Sequence, residues 1–301
     1  MASPLIICNN VVKIYRSGKV KVTALRGLNL KVKEGEFRAI VGPSGSGKTT
    51  LLNLIGGMDK PDAGEIIVDG EDISKYDEKK LYEYRLRKVG FVFQFFNLIP
   101  TLTALENVEL PMILAGYPRE KRLERAKMLL KRVGLGDKMD RRPGELSGGE
   151  QQRVAIAVAL ANDPPIILAD EPTGELDTAT SREIAELFRE LHREMGKTII
   201  IVTHDLSIAM YAEKISRMED GRIIMDVTPA EMETYVLAPA KTAEIVARLE
   251  ARKREILEEI SKLEHDFKSN LIDAETFVNR YMELKSILEH IDTELKKYTL
   301  T

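Results

Sequence analysis

The stretch FRAIVGPSGSGKTTLLN, residues 37–53, decides the fold. It opens with an apolar run typical of a buried strand, and residues 42–49 then follow the spacing G-x-x-x-x-G-K-[ST]. A helix that begins near Lys48 would direct its positive N-terminal end at an anion. An ordinary glycine-rich turn would not need every fixed position of this pattern between a strand and a helix. The stretch therefore predicts a phosphate-binding loop.

Within this loop, the glycines, the lysine and the threonine have different expected roles. Gly42, Gly45 and Gly47 allow backbone N–H groups to approach a polyphosphate closely, because a Cβ would forbid the required conformations. Lys48 is the expected partner of the β- and γ-phosphates, and the hydroxyl of Thr49 is the expected magnesium ligand. This chemistry fits a nucleotide.

The composition narrows the class of protein. With 301 residues the chain is long enough for about two domains. Its 45 basic and 48 acidic residues give a formal charge of -3, so bulk electrostatics give no reason to expect a nucleic-acid partner. Cys8 is the only cysteine, which excludes an internal disulfide and a four-cysteine metal site and suits a reducing cytoplasm.

Two features bear on membranes. The opening residues MASPLIICNN lack the basic flank and long apolar core of a signal peptide. No run approaches the roughly 20 apolar residues that a membrane-spanning helix needs. Membrane contact is therefore expected only through partners.

Three further apolar runs end in polar side chains. The run GFVFQ ends at Gln94, IILADE ends at Asp170 and Glu171, and TIIIVTHD contains His204. Parallel sheets deliver ligand-binding residues at the carboxyl ends of their strands. Asp170 is expected to hold magnesium and Glu171 to polarise the attacking water.

Each of these residues also has a structural interpretation. An isolated glutamine or histidine at a strand end is more often structural than catalytic. Adjacent carboxylates without a phosphate loop would more often form a solvated turn. The phosphate loop favours the functional interpretation for the two carboxylates. For the other two residues both interpretations stay open: Gln94 touches magnesium or water or is structural, and His204 bonds a γ-phosphate or is structural.

A second site ready for an anion is predicted where a helix begins, in the stretch LSGGEQ at residues 146–151. Ser147 is a natural N-cap, while Gly148 and Gly149 leave the N-terminus of the following helix unobstructed. A plain capped helix would not need two glycines, because they weaken its first turn.

The segments around these motifs predict an antiparallel β layer over residues 5–36 and a helical region over residues 95–163. Tyr15 ends one strand of the layer, where its ring either stacks on adenine or packs at the sheet edge. The stretch FFNLIPTL, residues 95–102, is unusually apolar for a connection. It is either a contact surface for another chain or the packing of a hinge.

Taken together and in this order, these motifs resemble an ATP-binding cassette ATPase. The resemblance covers about residues 5–228, and the stretch 146–151 is its most specific part. FVFQFFNLIPTLTALENVELP and GELSGGEQQRVAIAVALANDPPIILADEPTGELD are similar to the branch that works with lipoprotein-releasing and macrolide-exporting permeases. The implied fold is α/β: a P-loop NTPase core with a parallel sheet, an antiparallel β layer and a helical subdomain.

The resemblance implies a head-to-tail homodimer with two ATP molecules between the subunits. Tyr15 would stack on adenine, Asp177 would lie at the dimer interface, and Gln94 would couple the site to a groove for a permease helix. Magnesium would be held by Thr49, Gln94 and Asp170. The implied nucleotide-binding residues are Gly42, Pro43, Ser44, Gly45, Ser46, Gly47, Lys48, Thr49 and Thr50 of one chain and Ser147, Gly148, Gly149, Glu150 and Gln151 of the other.

The implied activity is ATP hydrolysis by a subunit on the cytoplasmic face of a membrane, bound to integral permease subunits. Glu171 is the expected catalytic base, assisted by Lys48, His204 and Gln94. Glu175 departs from the family pattern, since related sequences more often have a small or neutral residue there. The alternative is a soluble cassette ATPase that acts on nucleic acid or ribosomes.

The pattern changes beyond residue 235. Apolar residues at alternating three and four spacing fill two segments of residues 236–301, separated near Asp273, which predicts a coiled-coil-like helical hairpin. Residues 1–235 would form the cassette and residues 236–301 an extension. The hairpin packs on its own cassette, pairs with the partner's hairpin, or docks on another protein; in the soluble alternative it is the working arm.

Overall fold

The computed structural model describes residues 4–18, 20–269 and 271–299. These residues form two compact units, of which the first ends at Pro229 and the second begins at Ala230. The division lies a few residues before the boundary expected from the sequence. The assignment of a cassette and an extension to these units stays a prediction.

The strands of the first unit form two sheets. The four-stranded sheet has the order β2-β1-β4-β5, and the six-stranded sheet has the order β10-β9-β3-β8-β7-β6. The strands are β1 (Pro4–Ser17), β2 (Val20–Lys33), β3 (Phe37–Val41), β4 (Ala63–Val68), β5 (Glu71–Asp72), β6 (Val89–Val92), β7 (Ile166–Asp170), β8 (Thr198–Thr203), β9 (Lys214–Glu219) and β10 (Arg222–Val227).

The six-stranded sheet is parallel except at β10, and its middle strands are buried on both faces. Every residue of β3 and of β8 is buried, as expected for strands covered on both sides. The four-stranded sheet is antiparallel throughout. The predicted parallel core and antiparallel layer are both confirmed.

Helices cover the sheets and form the second unit. Among them, α3 packs against α4 and α5, which gives the predicted helical subdomain. The helices are α1 (Lys48–Ile55), α2 (Glu78–Lys88), α3 (Ala104–Leu114), α4 (Arg119–Arg132), α5 (Gly148–Leu160), α6 (Thr178–Met195), α7 (Leu206–Ala209), α8 (Pro229–Lys268) and α9 (Ala274–Thr299). No helix of the described ranges is long and apolar enough to cross a membrane.

The boundaries differ from the sequence prediction mainly at the site. The runs that end in Gln94, Glu171 and His204 leave their strands before those residues, because β6, β7 and β8 end at positions 92, 170 and 203. The three polar side chains therefore stand on the connections that follow the strands. Two apolar runs within the predicted β layer, at residues 5–7 and 11–15, join into one strand, β1, whose register shifts after Cys8.

One apolar core joins the antiparallel layer to the central sheet. It includes Ile6 of β1, Leu25 of β2, Leu52 of α1 and Ile200 of β8, each at most 1% exposed. Helix α1 therefore packs on the same close-packed core as both sheets.

Cys8 lies in this core and provides a test of its packing. Its side chain is 1% exposed, and burial raises the pKa of its thiol to about 12. Because the thiolate is the reactive species, we expect no reaction of the native protein with an aromatic disulfide reagent at mildly alkaline pH. Absorbance of the released thiol measures this, and the same sample in concentrated guanidinium chloride is the control. Full reaction of the native protein would contradict the packing.

The second unit is an antiparallel helical hairpin, as predicted. Ile256 and Ile260 of α8 are buried against Leu284 and Ile291 of α9. Asp273 caps α9, accepting a hydrogen bond from the Thr276 backbone at 2.8 Å. The hairpin extends further toward the N-terminus than its apolar spacing indicates, since α8 begins at Pro229.

Lys253 occupies a position in α8 where the heptad pattern expects an apolar residue. Its ammonium nitrogen donates to Asp292 of α9 at 2.7 Å. The charge therefore pairs across the two helices and helps to set their register.

Candidate functional site

The phosphate-loop pattern forms the turn between β3 and α1. A Cβ added at Gly42 would lie 2.1 Å from the carbonyl oxygen of Met218, and one at Gly47 would lie 2.5 Å from that of Ala24. These two glycines are thus required by close protein backbone, which the sequence alone did not show. Gly45 has a φ of 79° and no atom within 4 Å of an added Cβ. The open side of the loop is therefore at Gly45.

The loop is braced by the turn between β9 and β10. The N–H of Gly221 donates to the carbonyl of Ser46 at 3.0 Å, and the carbonyl of Gly221 accepts from Arg26 of β2 at 3.1 Å. Sequence reasoning did not identify this contact between residues 219–222 and the loop. The brace connects the loop to both sheets.

Lys48 is 7% exposed and is held by the loop itself. Its ammonium nitrogen donates to the carbonyls of Gly42 at 2.9 Å and Pro43 at 3.1 Å. The positive charge is therefore positioned at the loop before any ligand is bound. The buried hydroxyl of Ser46 has no hydrogen-bond partner among the described residues. The loop thus holds a positive charge and, inside its turn, a buried hydroxyl without a partner.

Thr49 and Asp170 meet across the edge of the central sheet. The hydroxyl of Thr49 donates to Asp170 Oδ1 at 3.0 Å. Burial raises the pKa of the Asp170 carboxyl, and the charge of Glu171 adds to this effect, while Thr49 and Lys48 oppose it. A cation at this place would offset both the cost of burying the Asp170 charge and its repulsion from Glu171.

The donor set fits magnesium that arrives with a nucleotide. The described residues contain no cluster of three or more His, Cys, Asp or Glu side chains able to hold a metal ion. Mg²⁺ is commonly bound by one or two carboxylates together with substrate phosphates and water. A hydroxyl and a carboxylate 3.0 Å apart supply the protein share of such a site.

Glu171 has an unusual backbone conformation, with a φ of 44°. Its N–H donates to the carbonyl of Val202 at 2.9 Å, and its Oε2 accepts from the backbone N–H of His204 at 3.3 Å. His204 Nδ1 lies 3.0 Å from the same oxygen. A positive φ at a non-glycine residue costs about 1–3 kcal/mol, and in this chain it also occurs away from the site, for example at Asp69 and Asp220. The strain turns the carboxylate from the end of β7 toward the end of β8.

A cavity of about 640 Å³ lies beside the phosphate loop, and Asp170 is not among its lining residues. Tyr15, Gln94, Glu171 and His204 all contribute to it. Sequence reasoning missed its wall on β2, where Val22, Thr23 and Ala24 lie, because that wall depends on the pairing of Tyr15 with Val22. The remaining lining residues are Ser44, Gly45, Gly47, Lys48, Thr49, Thr50 and Gly174.

Tyr15 is 42% exposed beside the phosphate loop. Its hydroxyl donates to Asp59 at 3.1 Å, and the ammonium of Lys13 lies 5.2 Å from the centre of its ring. Burial raises the pKa of the Tyr15 hydroxyl. The ring is therefore held at the cavity wall, where either a stacking or a packing role is possible.

The predicted second anion site lies in a different cavity, of about 470 Å³. Ser147 caps α5: its hydroxyl accepts from the N–H of Glu150 at 3.4 Å, and its own N–H donates to the Glu150 carboxylate at 2.9 Å. A Cβ at Gly149 would lie 2.3 Å from Thr180, so this glycine is needed for packing as well. Lys138 pairs with Glu150, while Gln151 donates to the backbone.

Asp177 caps α6 rather than pointing at the first cavity. Its carboxylate accepts from the N–H groups of Ala179 at 3.0 Å and Thr180 at 3.1 Å, and from the Thr180 hydroxyl at 2.6 Å. These hydrogen bonds lower the pKa of the Asp177 carboxyl, and the bond from the Thr180 hydroxyl has the largest effect. Within one chain, the phosphate loop lines one cavity, while Ser147, Gly149 and Glu150 line another.

A phosphate loop at the carboxyl edge of a parallel sheet, with acidic side chains following the neighbouring strands, defines a P-loop nucleoside triphosphatase. Residues 25–174 match the model of the family described as ABC transporter. The chain belongs to that family.

Named relatives agree with this assignment. An ABC transporter ATP-binding protein of Thermotoga maritima is 59% identical over 214 residues, covering 71% of this chain and 91% of that protein. The lipoprotein-releasing system ATP-binding protein LolD of Saccharophagus degradans is 48% identical over 221 residues, covering 73% of this chain and 97% of that protein. The macrolide export protein MacB of Shewanella is 46% identical over 254 residues, covering 84% of this chain and 38% of that protein.

A solved structure shows the same fold. It is the dimeric, post-hydrolysis state of the ATP-binding cassette MJ0796 with ADP and phosphate. It is 48% identical with a TM-score of 0.70, covering 74% of this chain and 98% of that chain. The predicted family, branch and transporter-type ATPase activity are confirmed, and the nucleic-acid alternative is not supported.

Proposed function

We propose that two copies of this chain close head to tail around two ATP molecules. Each ATP would lie between residues 42–50 of one copy and residues 147–151 of the other. The observation that carries this proposal is the separation of the two helix N-termini, which line different cavities of a single chain. Only a second copy brings a phosphate loop and a Ser147 N-terminus to the same nucleotide.

The side chains around the first cavity then divide the chemistry. Lys48 stabilises negative charge on the phosphates, and Glu171 accepts a proton from the attacking water. His204 orients the Glu171 carboxylate through the contact at 3.0 Å and bonds the terminal phosphate. Thr49, Asp170 and Gln94 would hold Mg²⁺, which neutralises phosphate charge when bound. Tyr15 stacks on the adenine ring.

The apolar segment at residues 95–102 is the proposed contact with a membrane permease. Phe95 is 69% exposed and Ile99 is 38% exposed, so the segment is not buried as hinge packing would require. Asn107 holds it in shape, accepting from the N–H of Ile99 at 2.8 Å and donating to three backbone carbonyls. A rigid apolar surface of this kind fits a cytoplasmic helix of a partner. The chain would then lie at the cytoplasmic face of the membrane.

The hairpin is proposed to tether or regulate the dimer. Residues 1–235 would act as the cassette and residues 236–301 as the extension. The charges of the hairpin are mixed, with pairs such as Arg252–Glu255 and Arg280–Glu283. This mixture does not favour binding to an anionic membrane surface.

Light scattering after size exclusion tests the nucleotide sandwich. We expect the full-length Glu171→Gln protein to be a monomer without nucleotide and a dimer with magnesium and ATP. The same protein with Lys48→Ala is the control, and it should stay monomeric because the phosphates lose their cation. Failure of ATP to change the mass of Glu171→Gln would reject the sandwich. A dimer without ATP that is lost on truncation after residue 235 would instead assign dimerisation to the hairpin.

A further inference from the structure

Glu175 makes a contact that the proposed chemistry does not use. It lies in the connection between β7 and α6, and its Oε1 accepts a hydrogen bond from Gln94 Nε2 at 3.0 Å. The two residues are far apart in the sequence, and the strand order of the central sheet brings them together. Gln94 itself lines the nucleotide cavity with Glu171 and Thr49.

This contact decides which end of the Gln94 amide is available. A carboxylate can only accept hydrogen bonds, so it binds the NH₂ end of an amide and not the carbonyl end. The carbonyl oxygen of the Gln94 amide then points away from Glu175. Because Mg²⁺ takes oxygen ligands, only that end can ligate it. A neutral residue at position 175 would not impose this orientation.

The backbone beside Glu175 restrains Gln94 further. A Cβ added at Gly174 would lie 3.1 Å from Gln94 Nε2 and 3.3 Å from its Cδ and Cγ. The amide therefore lies against the bare backbone of Gly174, with room that a larger residue would remove. Gln94 is held by a surface along its length and by a hydrogen bond at its end.

We propose that Glu175 is a positioning residue, which fixes the amide of Gln94 so that its oxygen faces a divalent cation bound with ATP. The proposal rests on the proposed role of Gln94 as a metal ligand, together with Thr49 and Asp170. Outer partners of metal ligands typically change metal affinity by about 10- to 100-fold when removed. Since Gln94 is one of three proposed protein ligands, we expect the lower end of this range.

The test measures Mn²⁺ binding rather than turnover. In full-length Glu171→Gln protein with ATP, free Mn²⁺ is followed by electron paramagnetic resonance. We expect Glu175→Gln to raise the dissociation constant of Mn²⁺ by about tenfold, because glutamine can pair with either end of the Gln94 amide. Binding of ATP without metal should not change. Glu124→Gln, which removes a charge from an exposed site on α4, is the matched control and should bind Mn²⁺ normally.

A double mutant separates orientation from simple loss of charge. In a Gln94→Ala background, Glu175→Gln should have no further effect on Mn²⁺ affinity, since no amide remains to be oriented. An equal loss in both backgrounds would overturn the proposal, and so would normal Mn²⁺ affinity in Glu175→Gln. Glu175 is exposed, so thermal melting of its variants should match the parent.

A further variant distinguishes this inference from the proposed site. If Asp170→Asn weakens Mn²⁺ binding and Glu175→Gln does not, only the role of Glu175 fails. If neither weakens it, the proposed metal site itself fails.

Discussion

Replacing Glu171 with glutamine is expected to slow ATP hydrolysis by about 10²- to 10⁴-fold while ATP still binds. The substitution keeps the size of the side chain and an oxygen that can accept from the His204 backbone, a contact of 3.3 Å. It removes the group that takes a proton from water. Phosphate release at saturating ATP measures the rate, and equilibrium binding of a fluorescent ATP analogue measures affinity.

Two controls make this result specific to the base. Glu124→Gln changes an exposed carboxylate on α4 and should hydrolyse ATP at the wild-type rate. Far-ultraviolet circular dichroism should be unchanged in Glu171→Gln. Wild-type turnover by Glu171→Gln would remove Glu171 from the role of catalytic base and return it to a structural one at the end of β7.

The sequence predicts those parts of the site that lie within one short segment of the chain. Lys48 and Thr49 follow a fixed spacing from Gly42, and all three lie between one strand and the helix that follows it. The carboxylates at 170 and 171 are predictable for a similar reason, since an apolar run before them indicates a buried parallel strand.

Contacts between distant segments were not predictable in this way. The bond of Gln94 to Glu175 and the brace of Gly221 on Ser46 join segments whose proximity depends on strand order. The wall formed by Val22 depends on strand register, which shifts at several points between β1 and β2. The local periodicity of apolar residues carries no information about strand order or strand register.

Sequence reasoning also missed Arg38. Among the substitutions predicted here, its removal is expected to lower the stability of the fold the most. It lies in β3 with 3% exposure, donating to Glu36 at 2.6 Å, to Ser216 at 2.6 Å and to Asp226 at 2.5 Å. Arg38→Met keeps an unbranched side chain but leaves Glu36 buried without its cation. Loss of one member of a buried ion pair costs about 3–5 kcal/mol. We expect this decrease in the free energy of unfolding, measured by circular dichroism in guanidinium chloride.

The cause of that loss is the unpaired charge of Glu36, and a second substitution can show this. The double variant Arg38→Met with Glu36→Gln should recover part of the lost stability, because no buried charge then remains at position 36. Arg87→Met is the matched surface control: its pair with Glu83, at 3.2 Å on α2, is exposed and should contribute less than about 1 kcal/mol. Equal destabilisation of the single and double Arg38 variants would assign the cost to lost packing in β3 instead.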